Sequence, residues 1–132
     1  MVEEVAAKYL KAQVETASPE QLVTMLYDGA VRFGEQAVEA LESGDVEKFC
    51  GKVGRAQAIV LELSVSLDRA EGGEIAANLA ALYAYVHTRL VEADIEKDPE
   101  RVREALRIMR ELREGWIEGL KGLRSPACPA AK

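Results

Sequence analysis

"TASPEQLVTMLYDGAVRFGEQAVEALESGDV", residues 16–46, contains a complete helix with its start and stop signals. Ser18 stands at the N-cap position, Pro19 follows where its missing N–H costs nothing, and Gln21 completes a capping box. Gly44 ends the segment and Asp45 opens the next. Between these signals the apolar residues fall in two stripes. Leu22, Leu26, Ala30, Phe33, Ala37 and Leu41 form one, and Val23, Tyr27, Val31 and Val38 form a second about a quarter-turn away. One stripe is what an ordinary surface helix needs. The second predicts a further partner.

The rest of the chain repeats this grammar. Glu71, Gly72 and Gly73 break the sequence, and Asp98, Pro99 and Glu100 again pair a cap with a proline. The signals predict helices over 18–43, 45–69, 74–97 and 98–123. Val46, Phe49, Val53, Ala56, Val60, Leu63 and Leu67 give the second a heptad-like seam. Ile75, Leu79, Leu82, Val86 and Leu90 are the expected inward face of the third. Val102, Leu106, Met109, Leu112, Trp116, Leu120 and Leu123 are that of the fourth. Segments of this length run roughly 36 Å. Short connectors make neighbours antiparallel, so the expected fold is all-α, an up-down four-helix bundle with a short N-terminal helical arm.

Composition removes several classes of function. With 132 residues, 48% apolar and 30% charged, the chain fits one self-sufficient domain. Its net charge of −6 argues against nucleic acid, which needs a basic face. No apolar run approaches the ~20 residues of a membrane span, so no membrane insertion is expected. The opening MVEEVAAKYLKAQVE has neither the basic nor the apolar region of a signal peptide. The two cysteines, Cys50 and Cys128, form no ligand or disulfide pattern, and a cytoplasmic location is the expectation.

Catalytic constellations are missing too. A di-iron bundle needs Glu-x-x-His pairs, and the sequence has one histidine, His87. A Cys–His nucleophile pair would draw on a thiol beside an apolar seam, where thiols are inert. No glycine loop cradles phosphate. We therefore expect no catalytic residues, no metal and no cofactor. Gly29, Gly34, Gly51, Gly54, Gly115, Gly119 and Gly122 lie inside helical patterns, at about 1 kcal/mol each relative to Ala. They serve either close helix–helix approach or room for a guest chain.

Four pieces, in order, resemble the FliS family of flagellin export chaperones. TASPEQLVTMLYDGAVRF is similar to its first helix and KVGRAQAIVLEL to its second. NLAALYAYVHTRLVEADIEKD resembles its third, with Asn78, Leu82, Tyr83, Tyr85, Leu90 and Ala93 in register. ELREGW resembles the end of its last helix, and Tyr9 suits the tyrosine of its N-terminal arm. The likeness covers about residues 9 to 118. Asp94 stands where the family commonly has Asn, and Gly115 where it commonly has Ala.

The resemblance implies a cytosolic chaperone that holds the disordered C-terminal segment of flagellin, prevents premature polymerisation, and helps deliver it to the type III export apparatus. Flagellin is then the partner, with the export gate a second, and the free chain is a monomer or weak dimer. The implied groove residues are Tyr9, Leu10, Leu22, Val23, Met25, Leu26, Tyr27, Asn78, Tyr83, Val86 and Leu90. The expected organisation is an arm over 1–15, a bundle over 16–124 and a disordered tail over 125–132. Two other readings stay open: a homo-oligomeric helical module whose second stripe is a subunit interface, and an enzyme whose site the sequence does not display.

Overall fold

The computed structural model describes residues 18–67 and 69–124. Four helices follow in order: α1 (Pro19–Glu42), α2 (Val46–Val65), α3 (Arg69–Glu96) and α4 (Pro99–Arg124). Each packs chiefly on its two neighbours, with α1 closing the ring against α4. The result is the expected antiparallel bundle. The expected arm and tail lie outside the described residues.

The helix ends form as the local chemistry dictates. Ser18 Oγ accepts from the Gln21 amide at 3.2 Å, and the Gln21 side chain accepts from the Ser18 amide at 2.8 Å. Gly44 takes φ +86, a left-handed conformation that favours glycine, and the Asp45 amide returns to the Ala40 carbonyl at 2.8 Å. The α3–α4 connector makes the same turn without a glycine. There Lys97 takes φ 55, and the Asp98 amide reaches the Ala93 carbonyl at 3.2 Å.

Two boundaries differ from the sequence expectation. The second helix stops at Val65, where Ser66 caps it, rather than running to 69. The glycine break is displaced as well. Residues 69–72 are already helical, and Gly73 alone breaks the geometry with φ 56 and ψ −129.

The core is built from Phe49, Val53, Val60, Leu63, Val86 and Val102, all essentially inaccessible, with Ala30, Ala37, Ala56, Ala93 and Ala105 where backbones approach closely. Each fully buried Val, Leu or Phe contributes roughly 1.5–3 kcal/mol. Most of the α2 and α4 seams face inward as read, although Val46 is 45% exposed at its helix start.

The α3 face is a correction. Ala76, Tyr83, Val86, Leu90 and Ala93 are buried and Leu79 half-buried, whereas Ile75 and Leu82 point outward. Positions 76, 79, 83, 86, 90 and 93 step by three and four as strictly as the expected set does. Tyr83 wins the inward arc because its hydroxyl meets that of Tyr27.

The two stripes of α1 also receive a different explanation. The first faces α2: Phe33 lies under Lys52 and Arg55, and Gly29 lies against Ile59. The second faces the α3–α4 side, where Tyr27 meets Tyr83 and Gly34 abuts Leu106. All of both stripes but Leu22 pack on the bundle's core, and Leu22, Val23 and Leu26 stay half-buried at the end where α1 begins.

Candidate functional site

Surface chemistry divides the bundle into unlike faces. Along the α1–α4 seam, Arg103 pairs with Glu42 at 2.6 Å, Arg110 with Glu35 at 2.5 Å and Arg113 with Asp28 at 2.6 Å. Across α3–α4, Arg101 bridges Glu92 at 3.0 Å and Glu96 at 2.9 Å. Exposed pairs of this kind are worth little individually, but they line the seams with charge.

The outer face of α2 is the opposite. Gly51, Gly54, Ala58, Leu61 and Val65 step by three and four down its exposed side, and none is charged. Leu61 is 56% and Val65 72% exposed. Beside it, α3 exposes Ala77, Ala81, Ala84 and Thr88. No ion pair joins α2 to α3 among the described residues. A Cβ added at Gly51 or Gly54 would meet nothing within 4 Å. These two glycines therefore do not serve helix–helix packing inside the bundle, whereas Gly29 and Gly34 do.

Towards α4, the edge of α3 carries Ile75, Asn78, Leu82 and Tyr85, all exposed. The Tyr85 hydroxyl donates to Glu104 at 2.5 Å, and that carboxylate holds the phenol above its ordinary pKa. At the end of the bundle where α1 begins, Leu22, Val23, Met25 and Leu26 are half-buried. Val23 and Leu26 pack on the core, as do Leu79, Leu112 and Trp116 of other helices and Leu67 just beyond the end of α2. Trp116 Nε1 donates to Thr24 Oγ1 at 2.7 Å, tying α4 to α1 there. Below it the Tyr27 and Tyr83 hydroxyls share a buried hydrogen bond of 2.6 Å. Burial raises both phenols, Tyr83 the more strongly.

The residues singled out from sequence thus fall into three groups. Tyr27, Tyr83, Val86 and Leu90 lie in the core, at 3% exposure or less, and present no surface to another chain in this conformation. Leu22, Val23, Met25 and Leu26 stay partly accessible, and Asn78 is exposed. Tyr9 and Leu10 lie outside the described residues. What sequence reading passed over is the α2 outer stripe. Its signal was the 51–54–58–61–65 spacing, hidden because three of those five side chains are Gly or Ala and score weakly as a hydrophobic pattern.

No group of three or more His, Cys, Asp or Glu side chains could hold a metal among the described residues. The Asp94 carboxylate of α3 beside Cys50 raises the thiol's pKa, which disfavours the reactive thiolate. No described helix is long and apolar enough to cross a membrane.

Comparison with known proteins finds relatives over most of the chain. The family model described as "Flagellar protein FliS" matches residues 1–122. The flagellar secretion chaperone FliS of Bacillus subtilis is 33% identical over 116 residues, covering 88% of this chain and 86% of its own. That of Campylobacter jejuni is 36% identical over 110 residues, covering 83% and 86%. The Salmonella typhimurium chaperone is 36% identical over 108 residues, covering 81% and 80%.

Proposed function

The chain belongs to the FliS family of flagellar secretion chaperones, and from that premise we propose that it binds the disordered C-terminal segment of flagellin in the cytosol. Holding that segment prevents premature polymerisation, and the complex presents flagellin to the type III export apparatus, with the export gate as second partner.

The observation that carries this reading is the uncharged outer stripe of α2, Gly51, Gly54, Ala58, Leu61 and Val65, beside the alanine-rich face of α3. An amphipathic segment gains by burying its apolar side on such a surface, and glycine lets the incoming backbone come close. The guest orders as it binds, which offsets much of the contact energy and keeps release feasible. Leu22, Val23, Met25, Leu26 and Asn78 extend the contact at its rim, with Tyr9 and Leu10 of the arm. Tyr27, Tyr83, Val86 and Leu90 act from behind, as the rigid floor.

Size-exclusion chromatography after co-expression with flagellin tests this. We expect a 1:1 complex that disappears when the flagellin C-terminal segment is deleted. Undiminished capture of the truncated flagellin refutes the assignment. The homo-oligomer reading instead requires stable self-association in the absence of flagellin.

A further inference from the structure

One cluster of charge is left unused by the flagellin reading. On the opposite edge of α2 from Cys50, Lys52 Nζ sits 5.3 Å from the Phe33 ring centre and the Arg55 guanidinium 5.6 Å. Arg32 of α1 reaches the same ring at 5.4 Å. Three cations around one centre lie no more than about 11 Å apart, well inside the Debye length of roughly 30 Å at low salt, so there they repel. Lys48 stands one turn earlier on the same face of α2. Among the described residues none of these four forms an ion pair, whereas Arg89, Lys97, Arg101, Arg103, Arg110 and Arg113 all do.

In a chain of net charge −6 this concentration of unpaired cations is against the trend. The ring offsets part of the repulsion through its negative face. It also holds the three cationic groups at a common site, with their remaining N–H donors free for solvent.

We propose that this α1–α2 edge docks an acidic peptide segment of a partner protein. Lys48, Lys52 and Arg55 span eight residues, roughly 10 Å along the helix, which matches two or three carboxylates on a helical or extended segment. Nucleic acid fits less well, because its longer phosphate track runs into the acidic remainder of the chain. The patch lies on the α1 side of α2, beside the outer stripe and sharing no residue with it. The inference does not depend on flagellin binding.

Fluorescence anisotropy with a labelled peptide of alternating Glu and Ala tests it, using the full chain at low and at physiological salt. The Glu peptide binds, and its Gln counterpart does not. The double variant Lys52→Gln/Arg55→Gln lowers affinity tenfold or more with circular dichroism unchanged. Arg107→Gln, which removes an unpaired cation on α4, changes affinity less than twofold. Equal loss in that control, equal binding of the Gln peptide, or no binding of the Glu peptide at low salt overturns the proposal. So does patch-dependent binding to phosphatidylglycerol vesicles without peptide binding, which would assign the edge to a membrane surface.

Discussion

Two glycine-to-alanine substitutions should move stability in opposite directions. A Cβ at Gly34 would lie 2.7 Å from Leu106 Cδ2 and 3.0 Å from Leu106 Cγ, where comfortable carbon contacts are about 3.5–4.0 Å. Leu106 is 6% exposed and must retreat by nearly 1 Å into close-packed neighbours. The void bordering both residues holds about 10 Å³, the smallest space that admits one water, so it relieves little. Overpacking of this kind costs about 1–3 kcal/mol. Alanine in a helix returns roughly 1 kcal/mol over glycine. The net expectation for Gly34→Ala is a loss of about 1 kcal/mol. At Gly54 only the second effect operates, since nothing lies within 4 Å, and Gly54→Ala should gain about 0.5–1 kcal/mol. For a domain of this size each kcal/mol shifts Tm by about 4 °C, so the variants should bracket the parent on either side. Thermal melts followed by circular dichroism, with urea titrations to check a constant m value, measure both. A Gly34→Ala protein as stable as Gly54→Ala would refute the close-approach argument for α1 and α4.

Four further outcomes are expected. Tyr27→Phe and Tyr83→Phe each leave a buried hydroxyl without its partner and should cost about 1–2 kcal/mol, while the double variant costs less than their sum in a double-mutant cycle by urea unfolding; strict additivity would disprove the coupling. Because burial raises both phenols, the folded state keeps protons that the unfolded state loses near pH 10. This stabilisation is complete below that value and is lost as pH rises towards the folded pKa, so alkaline stability should fall more steeply in the parent than in the double phenylalanine variant. Lys97→Gly removes a left-handed non-glycine residue and should raise stability by up to about 1 kcal/mol in the same titrations; a clear loss would show that the Lys97 contact to the Asp94 carbonyl outweighs the backbone strain. Finally, Tyr9→Ala or removal of residues 1–14 should leave the bundle helical by circular dichroism, raise dye binding or self-association of the free chain, and modestly weaken flagellin capture. Unfolding of the shortened chain would place the arm in the core instead of over the groove.

Much of this architecture was legible one helix at a time. Ser18 with Gln21, Gly44 with Asp45, and Asp98 with Pro99 act through neighbours within a few residues, so the residues alone determine where α1, α2 and α4 begin. The seam Phe49–Val53–Ala56–Val60–Leu63 is likewise self-evident, since α2 has one strongly apolar arc. The order of four long segments on short connectors then leaves an antiparallel bundle as the natural packing.

Tertiary structure decided whatever required knowing the neighbour. α3 carries apolar residues on several arcs, and its sequence permits Ile75 and Leu82 to face inward as readily as Ala76 and Tyr83. The choice is made across the bundle, by a hydroxyl on Tyr27 and by the closeness that alanine allows. The second stripe of α1 announced an additional partner without saying which, and the partner is the other side of the same core. Glycine is the sharpest case. Gly34 and Gly54 are identical letters in similar helical contexts, yet one is filled to contact by Leu106 and the other faces open space. Their difference lies wholly in what packs opposite, and no local property of the chain contains that.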